Sequence, residues 1–481
     1  MMAINIGTRR ELFVDKHLVD TMENTELRLH EPIPMENSIK IDKPWEGGAN
    51  FGNTVIKLDG RYLMYYRAMR TDDPENPHLC LAVSDDGIHW EKPVLQPEGT
   101  NFVESNNFFL DNGPAAAADG NRVRGFFSQG VDGSVHNAFG EGKGAKMGVF
   151  YTSKDGKVFE KMDPQPKMVS GLMNSFDGGD SVFWSEEEQQ YVAYIRYSVL
   201  NVRDDKQNAT GWQRSMSRFT SKDLYNWSEP VEMRYSDTPE QFYVNGTQPY
   251  FRAPHIYISL AARYMEEKRV LTKEQEAALG VYSATAHNSK GEIKTWYYAD
   301  DCSDAVMMST RAGSTVYDRT FMEAFVYPGL GHSHWVSRTN YPLDGGFHQL
   351  DDTTMSFYIH RNYMQPTWHI QRMQLRLDGM ASLHAPWKGG VMTTKPIIFD
   401  GSELELNFRT SAAGWIRVEL TDEDGNLLPG FNKECCDPIV GDEISKTVTW
   451  RSGYSLAKYA GTPVRLRFYM KDADIYSYKF N

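Results

Sequence analysis

A Tyr-rich strand pair followed by a polar turn recurs through most of the chain, and this repeat limits the possible folds more than any other feature. The turn residues Gly87, Gly156 and Leu224 occupy equivalent positions at nearly equal intervals. Gly313 follows after a longer interval, and Gly379 after one similar to the first two. The first three units end in Ser-x-Asp-Gly-like turns before an aromatic residue. Long repeats made of strands and turns are typical of β-propellers.

The number of repeats predicts the number of blades. Five four-stranded units that close into a ring make a five-bladed β-propeller, and a pair of β-sandwiches fits five similar units less well. The longer interval before the fourth turn has a local cause. The insert LTKEQEAALG predicts a short helix, with Thr272 as N-cap and Gln275 closing a capping box. We expect the functional site at the mouth of the ring where the inner strands begin.

After about residue 385 the pattern changes to strands with simple period-two alternation. Apolar residues alternate with polar ones in SELELNF, WIRVEL and VRLRFYM, and DEDG at residues 422–425 signals a hairpin. The sequence therefore predicts an all-β protein with two domains. Residues 1–385 form the propeller with an N-terminal extension, and residues 386–481 form an antiparallel β-sandwich.

The charge balance and the cysteines exclude several classes of protein. The 481 residues include 51 Lys and Arg against 64 Asp and Glu, a formal net charge of −13. An acidic chain without a basic run predicts neither a nucleic-acid partner nor a membrane partner, and no apolar run reaches the length of a transmembrane helix. Four scattered cysteines without a CxxC spacing predict neither a disulfide scaffold nor a zinc site.

The same features give the remaining expectations about partners and location. We expect no cofactor and no metal ion, and the oligomeric state stays open, a homo-oligomer included. The amino terminus has no apolar core of signal-peptide length, so we expect a cytoplasmic protein, or an exported one if a leader was removed.

Polar residues that precede the inner strands are the candidates for a site at that mouth. Two carboxyl groups on neighbouring blades can flank a glycosidic bond, one protonated and the other ionised, as glycoside hydrolysis requires. Asp177 is the best placed, because Gly178 and Gly179 open the backbone beside it to a ligand. The catalytic candidates are Asp177, Glu240, Glu323 and His255. The candidates for substrate binding are Glu46, Asn50, Asn107, Asp180, Arg252 and Asn340.

Each candidate also has a purely structural interpretation. Asp177 and Asp180 can cap turns through Asx hydrogen bonds, and the asparagines suit turns as well as sugar hydroxyls. The glutamates can be solvated loop or strand residues. His255 can bind a hydroxyl, act as a general acid or be a satisfied core histidine. Arg252 can clamp a carboxylate, a sulfate or a phosphate.

Several strings in the chain resemble a known group of proteins. LFVDKHLVD, PWEGG, FDGGDSVFW, FRAPHIYI, EAFVYPG and TTKPIIFDGSELELNF are similar to strings in bacterial five-bladed propellers with a C-terminal β-sandwich, which are related to glycoside hydrolase families 32 and 43. The resemblance spans nearly the whole chain and implies a carbohydrate-active enzyme, most simply an exo-acting glycosidase. The family 32 motifs WMNDPNG and RDP are absent, and Glu434-Cys435 lies outside the propeller. In the frame that carries the family 43 acid, RAPHIY has Arg252 where the glutamate is expected.

Taken together, these features predict a glycoside hydrolase that removes a terminal sugar from an oligo- or polysaccharide. Asp177 is the predicted base or nucleophile, and Glu240, Glu323 or His255 supplies the acid. Two alternatives stay open. One is a glycoside phosphorylase, similar to the five-bladed mannoside phosphorylases, that binds phosphate through Arg252 and His255. The other is a non-catalytic propeller that binds glycans.

Overall fold

The computed structural model consists mainly of strands, with one α-helix among the residues it describes. Those residues are 2–47, 53–68, 78–105, 115–119, 122–130, 146–173, 175–176, 178–200, 212–235, 240–287 and 293–481. The prediction of an all-β fold with a five-bladed propeller is confirmed. Within the described ranges no helix is both long enough and apolar enough to cross a bilayer.

Helix α1 (Lys273–Leu279) begins as the sequence predicts. The Thr272 hydroxyl accepts a hydrogen bond from Gln275 N, and the Gln275 side-chain oxygen accepts one from Thr272 N. The predicted capping box is therefore confirmed. Gly280 ends the helix in the left-handed conformation, at φ +64°.

The chain divides into two compact units. The terminal unit comprises Met1–Pro32, Asp351–Met355 and Leu375–Asn481, and the propeller unit comprises Ile33–Leu350 and Ser356–Gln374. This division differs from the predicted boundary at residue 385, because the strands that precede Ile33 pair with C-terminal strands. Four N-terminal strands belong to the terminal unit: β1 (Ile4–Gly7), β2 (Glu11–Leu12), β3 (Val19–Glu23) and β4 (Glu26–Leu29). The next strand, β5 (Ile33–Lys40), belongs to the propeller unit.

The blades follow one another along the chain. Blade 1 contains β6 (Thr54–Leu58), β7 (Arg61–Ala68) and β8 (His78–Ser84). Blade 2 contains β9 (Glu104–Ser105), β10 (Ala115–Asp119), β11 (Arg122–Gly130), β12 (Lys146–Ser153), β13 (Val158–Lys161) and β14 (Val169–Ser170). Blade 3 contains β15 (Ser181–Ser185), β16 (Gln190–Leu200), β17 (Trp212–Ser221) and β18 (Val231–Glu232).

The last two blades contain an insertion and an N-terminal strand. Blade 4 contains β19 (Phe242–Val244), β20 (Thr247–Tyr250), β21 (Ala253–Met265) and, after the inserted hairpin of β22 (Ser283–His287) and β23 (Ile293–Tyr297), β24 (Cys302–Arg311). Blade 5 contains β25 (His348–Gln349), β26 (Thr354–Arg361) and β27 (His369–Arg376), with β5 as the fourth strand. Short 3₁₀ turns lie at Tyr298–Asp300 and His332–Trp335.

The inner strands of the blades make a closed ring. Strand β10 contacts both β6 and β15, and β15 contacts β20. The inner segment of blade 5, residues 341–344, returns to blade 1, where Asp344 forms a parallel bridge with Thr54. At the outer side of blade 5, β5 pairs antiparallel with β27, His369 lying opposite Lys40. A strand from the start of the unit therefore completes its last blade.

The turn that defines the repeat has the same structure in successive blades. In blade 1 the Ser84 hydroxyl accepts a hydrogen bond from Gly87 N at 2.8 Å, and Asp86 Oδ1 accepts from the two backbone N–H groups that follow. Ser153 and Asp155 repeat these contacts in blade 2. The residues at the predicted turn positions have left-handed φ values: Gly87 +74°, Gly156 +72°, Leu224 +68° and Gly313 +78°. These aspartates hold turns, as their spacing predicts.

The fifth turn differs from the predicted one. The left-handed residue there is Asp378, at φ +63°, and not Gly379. The Asp378 side chain accepts hydrogen bonds from Ser477 and Asn407, both of the terminal unit. The fifth repeat therefore ends in a turn with different partners.

The terminal unit has its own core. Its remaining strands are β28 (Ala381–Ala385), β29 (Gly390–Thr394), β30 (Ile397–Phe399), β31 (Leu404–Asp422), β32 (Asp442–Thr447) and β33 (Val464–Phe480), with a 3₁₀ turn at Leu456–Tyr459. Strand β33 pairs with β2, β28, β29, β30 and β31, so all ten strands share one hydrogen-bonded network. The alternating apolar residues predicted from the sequence, such as Leu406, Val418 and Phe468, are buried in its core. Its strand pairs are antiparallel except for β1 with β30, which is parallel, and the predicted β-sandwich stays a prediction.

Candidate active site

The start of each inner strand defines one end of the ring, which we call the N-terminal mouth. Thr54, Ser181 and Thr247 begin β6, β15 and β20. A small cavity lies where these starts converge, with a volume of about 10 Å³, which is room for about one water molecule. The residues that line it are Asn53, Gly179, Asp180, Val244, Tyr341, Pro342, Asp344 and His360. They come from blades 1, 3, 4 and 5.

Asp344 is one of the carboxyl groups of this cavity. Its side chain is buried, and Gln248 Nε2 donates a hydrogen bond to Oδ1 at 3.1 Å. Oδ2 has no hydrogen-bond partner of good geometry among the described residues. Burial raises the pKa of Asp344 from 3.8 to about 7, although the hydrogen bond from Gln248 opposes the shift. A carboxyl of this kind exchanges a proton near neutral pH, as a general acid must.

Asp180 is a second carboxyl group in the same cavity. Its side chain is 8% exposed, and Oδ1 accepts a hydrogen bond from Arg196 N at 2.8 Å. Gly178 and Gly179 precede it with left-handed φ values of +88° and +72°. A Cβ atom on Gly179 would approach Val244 Cα to 2.8 Å. Close packing of blades 3 and 4 thus holds Asp180 in place.

His360 and Tyr341 complete the wall on the side of blade 5. Burial lowers the pKa of His360 from 6.5 to about 3, so its imidazole is neutral. His360 Nδ1 and Tyr341 Oη have no hydrogen-bond partner among the described residues. The cavity therefore joins two carboxyls, a neutral imidazole and a phenol, and its described lining contains no Lys or Arg.

An arginine–tyrosine cluster, consisting of Arg196, Arg214, Arg338 and Tyr243, lies beside the cavity. The guanidinium carbons of the three arginines are 4.1, 5.2 and 5.1 Å from the centre of the Tyr243 ring, in that order. The Tyr243 ring in turn lies 5.4 Å from that of Tyr341, which lines the cavity. Burial alone would raise the pKa of Tyr243, but the three arginines lower it from 10.0 to about 7.

Glu46, a predicted substrate ligand, has structural contacts instead. It is fully buried, and Oε2 accepts hydrogen bonds from the backbone N–H groups of Asp42 and Lys43. Oε1 accepts from the Tyr66 hydroxyl at 2.7 Å and pairs with Lys92 Nζ at 2.6 Å. These contacts use both oxygens to anchor residues 42–47 on blade 1.

Glu240 and Asn340 are likewise engaged within the protein. The two carboxylate oxygens of Glu240 accept hydrogen bonds from Arg263 at 2.9 Å and Arg319 at 2.7 Å. Asn340 is fully buried, and its amide donates to the carbonyls of Ser303 and His334 while Oδ1 accepts from Arg361. Glu323, the third predicted acid, is exposed to solvent. None of these three lines the cavity.

Arg252 and His255 lie at the opposite end of blade 4. Strands β20 and β21 form a hairpin in which Tyr250 is opposite Ala253, so Arg252 is in its turn. His255 follows shortly after, within β21, where its carbonyl accepts from Ala312 N, next to the left-handed turn at Gly313. The expectation that this pair shares a mouth with the carboxyls is not met, because β20 runs away from the N-terminal mouth before the turn.

Three predicted residues, Asp177, Asn50 and Asn107, lie outside the described residues. Of the predicted residues that the structure describes, only Asp180 lines the cavity. It adds Asp344, which the sequence interpretation missed although a signal was present. Asp344-Gly345-Gly346 repeats the Asp-Gly-Gly string that singled out Asp177. The cluster arginines follow no comparable motif.

The described residues contain no group of three or more His, Cys, Asp or Glu side chains arranged to hold a metal ion.

Two of the four cysteines, Cys80 and Cys302, are buried free thiols within the propeller unit.

Comparison with known proteins gives similarity of architecture only. No family model matches the chain, and no curated protein matches it. Among solved structures, it is similar to a glycoside hydrolase, with 10% identity, a TM-score of 0.46, and 75% of this chain and 92% of the other covered. An N-acetylgalactosamine deacetylase from F. plautii shares 11% identity, with a TM-score of 0.45 and coverages of 73% and 96%. The β-1,2-mannobiose phosphorylase from Listeria innocua shares 12%, with a TM-score of 0.43 and coverages of 73% and 97%. Similarity at this level transfers neither an activity nor a ligand.

Proposed function

We propose that this protein is a glycan-active enzyme that cleaves a glycosidic bond at the N-terminal mouth, most simply by hydrolysis. The observation that carries the proposal is the pair of buried carboxyls, Asp180 and Asp344, in the wall of one water-sized cavity. Glycoside hydrolysis needs one carboxyl that gives a proton and one that stays ionised. The raised pKa of Asp344, about 7, suits the donor.

In this proposal Asp344 protonates the leaving oxygen of the sugar bound at the mouth. Asp180 or Asp177 is the ionised partner that activates water or attacks the anomeric carbon. Asp180 has the advantage of a defined place in the cavity, whereas Asp177, slightly earlier in the chain, remains a proposal from sequence. The neutral His360 is positioned to accept or donate one hydrogen bond without adding charge.

The first prediction is that Asp344→Asn abolishes most of the activity. An amide cannot donate the proton, so we expect kcat to fall by about 10²- to 10⁴-fold, with little change in KM. The assay is release of sugar from a panel of aryl glycosides and oligosaccharides by the full-length protein. The wild type should also lose activity as the pH rises through about 7, because Asp344 then loses its proton.

The control is Glu323→Gln, which removes an exposed carboxyl outside the cavity and should leave kcat unchanged. Asp344→Asn with wild-type turnover would contradict the assigned acid. Running the panel with and without inorganic phosphate separates the two bond-cleaving reactions, because a phosphorylase releases a sugar phosphate and needs phosphate to turn over. Binding of glycans without any turnover would instead favour the non-catalytic propeller.

A further inference from the structure

The arginine–tyrosine cluster concentrates positive charge at one place in an acidic chain. Arg196 is 1% exposed, and its guanidinium shares the Tyr243 ring with those of Arg214 and Arg338. Burial lowers the pKa of Arg196, and the like charges of the other two arginines lower it further. The chain as a whole carries a formal net charge of −13, so an anion that binds here is attracted by this local field and not by the protein at large.

Further aromatic rings hold two of these arginines in position. The Arg214 guanidinium carbon lies 4.4 Å from the centre of the Tyr264 ring, and that of Arg338 lies 5.3 Å from the centre of the Tyr298 ring. Arg338 also donates a hydrogen bond to the Tyr363 hydroxyl at 3.2 Å. Stacking on aromatic faces restricts a guanidinium in advance, which lowers the entropy lost when it binds an oxyanion. Both arginine side chains are still partly exposed.

The cluster adjoins the cavity. Arg196 donates its backbone N–H to Asp180, and Tyr243 is followed in the chain by the cavity residue Val244. The cluster and the two carboxyls are therefore close neighbours in the fold. The cationic groups nevertheless stand outside the described lining of the cavity.

We propose that the cluster binds the carboxylate of an acidic sugar, so that the substrate of the site is a glycan with a uronate or similar unit. This inference rests on the proposed function for its link to bond cleavage. Guanidinium groups bind carboxylates through paired, charge-assisted hydrogen bonds. The carboxylate of the sugar would lie at the cluster, while its glycosidic oxygen faces Asp344.

The position of the charge favours a substituent of the substrate over a phosphate co-substrate. A phosphate that attacks the anomeric carbon has to lie next to the catalytic carboxyls, so its cationic partners should line the cavity. The described lining contains two carboxyls and a neutral histidine instead. The cations lie around Tyr243, next to the lining residue Tyr341, and in this proposal a group attached to the sugar ring reaches them there.

The second prediction tests this preference by calorimetric titration of the full-length protein with glucuronate, galacturonate and N-acetylneuraminate, each against a neutral analogue. We expect the wild type to bind at least one acidic sugar, and Arg338→Gln to weaken that binding by about 10- to 100-fold. Arg338→Lys keeps the positive charge but loses the paired N–H donors of the guanidinium. It should therefore bind the acidic sugar more tightly than Arg338→Gln but less tightly than the wild type. Arg61→Gln, at an exposed arginine paired with Asp85, is the matched control and should change nothing.

Tyr243 provides a readout that a merely structural cluster would not give. An anion among the three arginines weakens their effect on the ring, so the pKa of Tyr243 rises and the ultraviolet absorbance of tyrosinate falls at pH 7. A neutral sugar should leave this absorbance unchanged, and Tyr243→Phe should show no signal with any ligand.

Three results would overturn the inference. The first is equal binding of acidic and neutral sugars, and the second is a tyrosinate signal with inorganic phosphate but none with acidic sugars. The third is a tyrosinate signal with acetate that equals the signal with acidic sugars. The outcome is separable from that of the proposed function. Asp344→Asn should bind the acidic sugar normally and fail only in turnover. If Asp344→Asn keeps full turnover while Arg338→Gln loses the sugar, the assigned acid fails and the inference about the ligand stands.

Discussion

Burial of the Asp344 carboxyl affects both the stability of the folded protein and its proposed role as a proton donor. Its carboxyl is buried, and the described residues that line its cavity include no cation to pair with it. Ionisation there is unfavourable, which destabilises the folded protein at higher pH. The same property keeps a proton on the carboxyl near neutral pH, where a glycosidic oxygen needs a donor.

The third prediction follows from this linkage at the residue scale. The pKa of Asp344 is raised from 3.8 to about 7, so between these pH values the folded state binds more protons than the unfolded state. Its contribution to stability is therefore complete below about pH 4 and is lost as the pH rises through 7. The loss amounts to at most about 4 kcal/mol. Asp344→Asn should be more stable than the wild type at pH 8 and similar to it at pH 4.

Urea unfolding at the two pH values measures the difference. Glu323→Gln serves again as the control. Because Glu323 is exposed, the substitution should change the free energy of unfolding by the same amount at both pH values. An Asp344→Asn variant that loses stability at pH 8 would show that the carboxylate has a stabilising partner and would remove it as the proton donor.

At the scale of the strand, glycine allows the inner segments to approach one another at the axis. Gly345 has φ +109°, and a Cβ atom there would approach the Val55 carbonyl oxygen to 2.0 Å. This contact lies beside the bridge between Asp344 and Thr54, where blade 5 meets blade 1. A side chain at this position would push the closing segment away from β6 and displace Asp344.

The fourth prediction compares two glycines with the same kind of backbone strain. Gly313 also has a left-handed φ, +78°, but open space around its Cβ position. Gly313→Ala should therefore cost only about 1–2 kcal/mol of conformational strain. Gly345→Ala adds a clash with backbone and should cost about 1–3 kcal/mol more. Denaturant unfolding of the two variants gives the comparison, and equal losses would mean that blade 1 can move aside.

At the scale of the whole propeller unit, closure of the ring also involves β5, which completes the last blade. This strand, the first of the unit, pairs with β27, the last, and Ile39 on it lies opposite Ile370. Ile39 is 2% exposed and belongs to the core that also contains Tyr243 and Tyr341. The strand that closes the ring is thus part of the core that supports the candidate site.

The fifth prediction concerns this closure. Ile39→Ala removes buried methyl groups and should destabilise the protein by about 2–5 kcal/mol. Ile33→Ala, on the same strand but 59% exposed, should change stability by less than about 0.5 kcal/mol. Thermal unfolding of both variants tests it. If the two substitutions have similar effects, β5 stabilises the unit by backbone pairing with β27 and not by burying the Ile39 side chain.

Local features account for what the sequence interpretation predicted correctly. The turn at Gly87 and the capping box at Thr272 depend on side chains that are close together in the chain, so their spacing is visible in the sequence. Period-two alternation likewise revealed the strands of the terminal unit, such as β31. The residues near Asp177 pointed to the right end of blade 3, because Asp180 lies in the cavity.

The misplaced candidates have one common cause. Arg252 and His255 were grouped with the carboxyls because they precede a strong strand, but that strand follows β20 in a hairpin and starts at the opposite end of the blade. Glu46 and Glu240 resemble free loop acids in sequence, yet cations distant in the chain hold them. Strand order within a blade and ion-pair partners distant in the chain are not visible in local patterns.

By itself, then, the sequence determined the all-β class, the number of blades and the turn chemistry, since these follow from periodicity and short-range hydrogen bonds. The tertiary structure alone decided where the acidic and basic groups meet. Asp180 and Asp344 belong to blades 3 and 5, far apart in the chain, and share one cavity only because the inner strands converge on an axis. The pKa shift of Asp344 depends on burial, and that of Tyr243 depends on burial and on the three arginines around its ring, so neither shift exists before the ring has closed.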